Sequence, residues 1–292
     1  MKDYFRYSGK VCVVTGAASG MGKATAEMLV DLGAQVYGLD WAEVKVEGIA
    51  KYIHTDLSQK DSIDSAFEQI PAHIDSFFGI AGVSGSKTDF VTTTKIDLIS
   101  NKYICEEILP SRMSQGGSIA FITSTGGNGW EKDGNKNVYL PIVQANGWDG
   151  AVEALNKTIL PHLPGTLGYP FSKLAMNYYT IQLQATYAPK GIRVNAVLPG
   201  STDTGLKDEF TAMAGGEEAL LSHTGYAKRL AGSREMAEPI VFLNSPMASY
   251  ISGELLRVDY ACTAEEVAGL AQPAQPINLT AVLEHIQKMG QK

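Results

Sequence analysis

Cysteine is scarce. There are three, Cys12, Cys105 and Cys262, far apart and each among apolar neighbours. That spacing excludes a disulfide framework and predicts buried thiols in a reducing compartment. No Cys/His cluster has metal-ligand spacing, so no metal is expected. Basic charge is not in excess: 24 Lys and Arg face 31 Asp and Glu, a net charge of -7. With no Lys/Arg block to track phosphates, a nucleic-acid partner is not expected. No run approaches the ~18 apolar residues of a membrane span, and Met1 to Lys10 is polar, without the apolar segment of a signal peptide. These absences lead to the expectation of a cytoplasmic, non-membrane protein. What is plentiful is apolar residue, 45% of 292, enough for one large core or two modest ones.

The first half reads as a nucleotide site. Lys10 to Thr15 is a short apolar run, the pattern of a buried parallel strand. Thr15-Gly16-Ala17-Ala18-Ser19-Gly20-Met21-Gly22 follows, then a good helix sequence from Lys23 to Val30. Strand, glycine-rich turn and helix in that order suit a pyrophosphate: Gly16 permits the tight turn, and Gly20 and Gly22 allow close approach. The helix N-terminus adds free N–H groups and a positive dipole end. A plain flexible turn is the bland alternative. Gly33 then stops the helix, and a second strand ends in Asp40. An acid there can accept both adenosine-ribose hydroxyls and would repel a 2′-phosphate. Neither Trp41 nor Ser19 is basic, so NAD is expected rather than NADP. Trp41 fits two readings, against the adenine face or as surface packing. The segment from Ala42 to Tyr52 is short and poorly periodic, which predicts an abbreviated second crossover. A third strand is expected over Ile53 to Leu57 with Asp56 at its mouth. A helix follows with Ser58 as N-cap and Asp61 at N3. A fourth strand is expected from Ile74 into Gly82-Val83.

The second half carries the chemistry. A long helix is predicted over Thr94 to Met113, broken near Pro110, then a fifth strand from Ser118 ending in Thr123-Ser124. A mixed region from Trp130 to Gly168 holds one predicted helix, Trp148 to Ile159. Tyr169-Pro170-Phe171-Ser172-Lys173 then opens a helix through about Ala188. Tyr and Lys four residues apart share a helix face. An ammonium beside a phenol favours the phenolate, so such a pair can exchange a proton near neutral pH, although an accidental surface pair is the commoner origin of this motif. A sixth strand runs from Gly191 to Gly200. Ser201 to Leu230 is polar and glycine-containing, as a flap over a site would be. A helix is expected over Glu235 to Leu243, a last strand over Gly253 to Asp259, and a helical tail from about Leu279 to Met289.

Taken in order, these motifs resemble the classical short-chain dehydrogenase/reductase family from Lys10 to about Tyr260. The match rests on Thr15-Gly16…Gly20…Gly22, Asp56, Ser124, Tyr169 with Lys173, Asn195, and Pro199-Gly200 with Thr204. The resemblance implies a single-domain α/β Rossmann fold over residues 1–292, a doubly wound parallel sheet of about seven strands. It implies Tyr169 as acid/base, Lys173 lowering its pKa and binding the nicotinamide ribose, and Ser124 holding the substrate oxygen. The implied cofactor contacts are Gly16, Ser19, Gly20, Met21, Gly22, Asp40, Trp41, Asp56, Leu57, Ala81, Gly82, Tyr169, Lys173, Pro199, Gly200, Thr202 and Thr204. The implied reaction interconverts a secondary alcohol and a ketone with NAD.

Three places depart from the family pattern. Gly79-Ile80-Ala81-Gly82 lacks the polar residue usual before Ala-Gly. The tetrad Asn falls on Asp97, which is nearly isosteric and keeps the helix bend but adds a charge to the relay. The usual Asp-Gly-Gly is Asp259-Tyr260-Ala261, which leaves that turn open to question. The stretch from about Gly129 to Gly168 reads as an insertion before the catalytic helix, and 262–292 as a C-terminal extension. The insertion and short crossover resemble the bacterial 3α-hydroxysteroid dehydrogenase/carbonyl reductases and bile-acid dehydrogenases. That resemblance implies an apolar cyclic alcohol or ketone, a hydroxysteroid or bile acid, and a homodimer or homotetramer with the insertion in the contact. Two rivals remain open: a dehydrogenase of another small alcohol such as a sugar, polyol or terpenoid, and a non-catalytic nucleotide-sensing scaffold.

Overall fold

The computed structural model describes residues 3–222, 224–272 and 276–289. Seven strands form one parallel sheet in the edge-to-edge order Lys51–His54, Gln35–Asp40, Val11–Thr15, Ser76–Gly79, Ser118–Ile122, Arg193–Pro199 and Leu255–Val258. The first half contributes β1 (Val11–Thr15), α1 (Gly20–Asp31), β2 (Gln35–Asp40), β3 (Lys51–His54), α2 (Lys60–Phe67) and β4 (Ser76–Gly79). No helix joins β2 to β3, so the abbreviated crossover is present as expected. Cys12, Val13 and Val14 of β1 are fully buried, as are Phe77 and Phe78 of β4. Strands covered on both faces need such continuous apolar runs. The chain order reverses between β1 and β4, both neighbours running parallel. In open α/β sheets the crevice at this switch point, at the C-terminal strand ends, is where ligands bind.

From β4 the chain enters α3 (Phe90–Thr94), a π-helical turn Lys95–Ile99, α4 (Ser100–Tyr103), a second π-helical turn Ile104–Ile108 and a 3₁₀ turn Leu109–Ser111. The expected single helix over 94–113 therefore starts earlier and is wound loosely twice. β5 (Ser118–Ile122) follows, then α5 (Asp133–Val143), α6 (Gly147–Asn156) and α7 (Gly165–Tyr187). β6 (Arg193–Pro199), β7 (Thr202–Asp203), α8 (Lys207–Ala214), α9 (Glu217–Leu221), β8 (Ala231–Gly232), α10 (Ser233–Asn244), β9 (Leu255–Val258), α11 (Cys262–Val267) and α12 (Leu279–Met289) complete the order. One core packs α1 and α10 against the sheet, and the other packs α2, the 90–111 helix, α5, α6, α7 and α12. No described helix is long and apolar enough to cross a membrane.

Several boundaries differ from the sequence reading. β3 stops at His54, because Asp56 turns the chain: its Oδ1 accepts from Ser58 N at 2.8 Å and its N–H donates to Ser62 Oγ at 2.9 Å. The N-cap of α2 is accordingly Gln59, not Ser58. Helix α5 was not foreseen, since Gly134 and Pro141 interrupt its pattern. Cys262 is half-buried rather than buried like Cys12 and Cys105.

The turn after β9 forms without glycine. Tyr260 and Ala261 both take left-handed backbone, φ 51° and 65°, a conformation that costs about 1 kcal/mol or more for such residues. The N–H groups of Cys262 and Thr263 fix it by donating to the Asp259 carbonyl and carboxylate.

The tail packs on its own chain's insertion. Fully buried Asn135 donates from Nδ2 to the carbonyls of Gly129 and Ile277, 3.0 and 2.9 Å away, and its Oδ1 accepts from Leu279 N at 2.8 Å. Leu279, Ile277, Leu283 and Ile286 join the core beside it. Asn135→Ala leaves those backbone groups without partners, so stability should fall by about 2 kcal/mol. Urea unfolding measures it; a loss below about 0.5 kcal/mol would show that the amide clamps nothing.

Candidate active site

The glycine turn is shaped by contact as well as by conformation. Gly16 has φ 73°, and a Cβ on Gly22 would lie 2.0 Å from the Gly16 carbonyl oxygen. Any side chain at 22 would drive α1 off the turn, so its N-terminus stays close to the strand end. Thr15 sits beneath, its Oγ1 accepting from Ile80 N and Ala81 N at 3.0 and 3.2 Å. That ties the first strand end to the fourth and fixes Ala81 and Gly82. Ser19 is exposed, and half-buried Met21 packs on the second core.

Asp40 stands at the end of β2. Its two oxygens accept from Ala18 N and Ala42 N, each at 3.0 Å. The carboxylate is therefore bonded to the glycine turn itself. Trp41 beside it is 79% exposed. Leu57 is a core side chain. On the far side, Thr202 Oγ1 donates to Gly200 O, and Thr204 Oγ1 accepts from Leu206 N. A Cβ on Gly20 would come within 3.4 Å of Thr204, so these hydroxyls border the glycine turn. Pro199 O accepts from Thr125 Oγ1. These residues make a cradle of backbone and hydroxyl groups with one carboxylate at its end, which fits a dinucleotide.

Tyr169 does not open its helix. α7 begins at Gly165, one turn earlier, and carries Pro170 inside. Its residues from Phe171 to Asn177 are all buried, so Lys173 is drawn below the crevice floor. Lys173 Nζ lies 3.3 Å from the Ile122 carbonyl oxygen and 5.3 Å from the Tyr169 ring centroid. Ser124 and Tyr169 adjoin: a Cβ on Gly126 would lie 3.2 Å from Ser124 Oγ and 3.8 Å from the Tyr169 ring. Ser124 Oγ also accepts from Gly126 N at 2.9 Å, which orients it. A Cβ on Gly82 would lie 3.4 Å from Lys173 Nζ and 3.5 Å from Asp97 Oδ1. Ser124, Tyr169, Lys173, Asp97 and Gly82 thus meet at one point.

Charge in this pocket differs from the simple Tyr–Lys expectation. Burial pushes the Tyr169 phenol up to about 12; the Ser124 hydroxyl opposes that rise and the Asp97 carboxylate adds to it. Lys173 itself is pushed down by burial, with Asp97 supporting its charge. With its ammonium 5.3 Å from the ring centroid, Lys173 does not bring the phenol below its ordinary ~10. Asp97 is pushed up to about 6 by burial, against the pull of Lys173 and the Val83 N–H. Its Oδ1 accepts from Val83 N at 2.9 Å, whereas Oδ2 has no hydrogen-bond partner. It lies in the first π-helical turn, so the expected bend is kept with Asp in place.

Position 79, the first of the departure Gly79-Ile80-Ala81-Gly82, has a structural reason to be glycine. A Cβ on Gly79 would meet the Asn101 side chain at 2.4 Å and the Phe121 ring at 2.7 Å. Glycine makes room there for an amide reaching in from α4. Two other residues at the site were not foreseen. Phe210 of α8 stacks edge-on against Tyr169, ring centroids 5.0 Å apart, and its neighbour Glu209 bonds to the 84–87 loop. Phe210 follows Lys207-Asp208-Glu209 in a polar stretch, and an aromatic in such a place was the only available signal. Among the described residues no group of His, Cys, Asp and Glu could hold a metal ion.

Comparison with known proteins agrees with this arrangement. Residues 10–135 match the family model described as short chain dehydrogenase, and 157–263 match the one described as Enoyl-(Acyl carrier protein) reductase. Coniferyl-alcohol dehydrogenase of Pseudomonas sp. (strain HR199 / DSM 7063) is 29% identical over 86% of this chain and 96% of its own. Cis-4-hydroxycyclohexanecarboxylate dehydrogenase of Sinomonas cyclohexanicum is 30% identical over 88% and 98%. In fold, the 3-alpha-hydroxysteroid dehydrogenase of Pseudomonas sp. B-0831 is similar, with TM-score 0.72 and 24% identity over 90% of this chain and 100% of its own. The chain belongs to the short-chain dehydrogenase/reductase family. It is an oxidoreductase of the class that interconverts alcohols and carbonyls.

Proposed function

We propose that this enzyme is an NAD(H)-dependent dehydrogenase or reductase of a secondary alcohol on an apolar ring, a hydroxysteroid or bile acid. The observation that carries the reading is the meeting of Ser124, Tyr169 and Lys173 beside the glycine turn. Bound nicotinamide dinucleotide supplies the hydride acceptor or donor. Gly16, Ser19, Gly20, Met21 and Gly22 would hold its pyrophosphate end. Asp40 would take the adenosine ribose, and Trp41, Asp56 and the Leu57 backbone the adenine. Ala81, Gly82, Pro199, Gly200, Thr202 and Thr204 would line the remainder. Tyr169 gives its proton to the ketone oxygen or takes one from the alcohol, Ser124 hydrogen-bonds that oxygen, and Lys173 holds the nicotinamide ribose. Asp97 holds Lys173 in its charged state.

The ring preference is supported by Phe210, the apolar face nearest Tyr169, and by the fold neighbour named for a 3α-hydroxysteroid. A second reading, a smaller ring alcohol, is favoured by the relative named for cis-4-hydroxycyclohexanecarboxylate. NADH absorbance with androsterone, cholate, cyclohexanol and sorbitol separates them. Turnover of cyclohexanol without either steroid selects the smaller alcohol, and silence across the panel removes both. We place the enzyme in the cytoplasm as a single domain with an insertion over about 129–168 and an extension from 262. Its assembly is a homodimer or homotetramer, which sedimentation would test.

The preference for NAD rests on Asp40, whose carboxylate would repel a 2′-phosphate. Asp40→Ala should weaken NADH binding about tenfold and bring NADPH within about threefold of it, measured by cofactor fluorescence. Unchanged affinity for both cofactors would remove Asp40 from the ribose site.

A further inference from the structure

The flap between β6 and α10 is joined to the body in an unusual way. Its two ends are tied together where Thr202 and Asp203 pair with Ala231 and Gly232. Beyond that ladder, neither α8 nor α9 has a buried residue. A helix without a buried face gains little from the hydrophobic effect and is held by whatever specific bonds reach it. For α8 those bonds converge on one carboxylate. Glu209 Oε2 accepts from the hydroxyls of Ser84 and Ser86, the latter at 2.8 Å, and Oε1 pairs with Lys87 Nζ at 2.6 Å. Ser84 is 1% exposed, so this is an anchor in the body of the protein. The 84–87 loop follows Gly82, which borders Lys173 and Asp97, and α8 carries Phe210 on Tyr169, so the two segments flank the site. The residue after Glu209 is Phe210, whose ring stands on Tyr169.

We infer that Glu209 is a latch that ties the flap across the crevice to Ser84, Ser86 and Lys87, thereby setting Phe210 as the apolar wall against Tyr169. The role as substrate wall rests on the reading of Tyr169 as the acid/base; the latch itself does not. Glu209 acts through Phe210 and is a positioning residue. Lys87 holds the Glu209 carboxyl down at about 2, with the Ser84 hydroxyl next in importance. The carboxylate is therefore ionised at every pH at which the fold is studied. Its partner Lys87 is 82% exposed, so salt screens that arm while the serine arms persist.

The test has two parts that fail separately. Hydrogen exchange of residues 207–214 needs no substrate. Glu209→Gln should speed it at least about fivefold, and Lys87→Gln by less, because the serine arms remain. Exchange at the wild-type rate in Glu209→Gln would overturn the latch. The second part uses whichever of androsterone, cholate, cyclohexanol and sorbitol the wild type turns over fastest. There Glu209→Gln should raise KM about tenfold with kcat within about threefold. Phe210→Ala should shift the ratio of kcat/KM for androsterone and cyclohexanol by about tenfold. A ratio that stays fixed would remove Phe210 as the wall while leaving the latch standing. If the wild type turns over nothing, the functional reading fails and the exchange data still decide the latch.

Discussion

Tyr169→Phe should lower kcat by about 10²- to 10⁴-fold, the contribution expected of a positioned general acid or base, and leave NADH affinity within about twofold. The expectation is clean because the substitution removes one oxygen from a ring whose other contacts persist. Phe210 packs on the ring rather than the hydroxyl. Ser124 stays oriented by Gly126 N. Lys173 faces the ring and the Ile122 carbonyl. A folded variant that binds NADH normally and retains more than about a tenth of wild-type kcat would show that Tyr169 is not the proton donor. The direction of the pH dependence follows from the same geometry. Burial keeps the phenol at about 12, so it is protonated at neutral pH and ready to donate to a ketone. Oxidation of the alcohol needs the deprotonated form, and its rate should rise with pH between about 7 and 10 while reduction does not.

What the residues alone made legible follows from how local each signal is. The β1–turn–α1 unit is readable because strand, glycine turn and helix are contiguous, and the physical need for Gly22 is a contact only six residues away, with Gly16. Asp40 is readable because the end of β2 is set by a local pattern. Tyr169 and Lys173 are a helix-turn apart, so their shared face follows from period alone, although the start of α7 does not: Gly165 and Pro170 are poor helix formers that tertiary packing overrides. The charge state of the pair was misread for a related reason. Sequence spacing places Lys173 beside Tyr169, but only the fold shows the ammonium over the ring, and Asp97 arriving from a π-helical turn 72 positions earlier than Tyr169. Glu209 with Ser84 lies beyond reach for the same cause, 125 residues apart with no periodic link. The turn at Tyr260 and Ala261 shows the converse. Without glycine the sequence leaves that turn open to question, and the fold places left-handed backbone there at two residues whose side chains do not favour it.

Asp97 is the place where this chain's chemistry should part from an uncharged relay. The group is 1% exposed, with one oxygen on Val83 N and the other without a partner. Burial outweighs the pull of Lys173 and raises its pKa to about 6, against an ordinary ~3.9. An acid whose folded pKa is raised binds its proton more tightly in the native state. Its stabilising effect is full below about pH 4 and is lost as pH rises through about 6. Asn cannot titrate. The stability of Asp97→Asn relative to wild type should therefore improve by on the order of 2 kcal/mol between pH 4.5 and 7.5, measured by urea unfolding at both pH values, where other carboxylates cancel in the difference. The kinetic consequence has its own sign. Removing a negative charge near Tyr169 favours the phenolate, so the alkaline limb of alcohol oxidation should move to lower pH by about one unit. Any inflection near pH 6 that belongs to Asp97 should vanish with it. If wild type and variant share one pH dependence in both stability and rate, Asp97 carries no charge that the site uses, and Lys173 is held by its backbone contact alone.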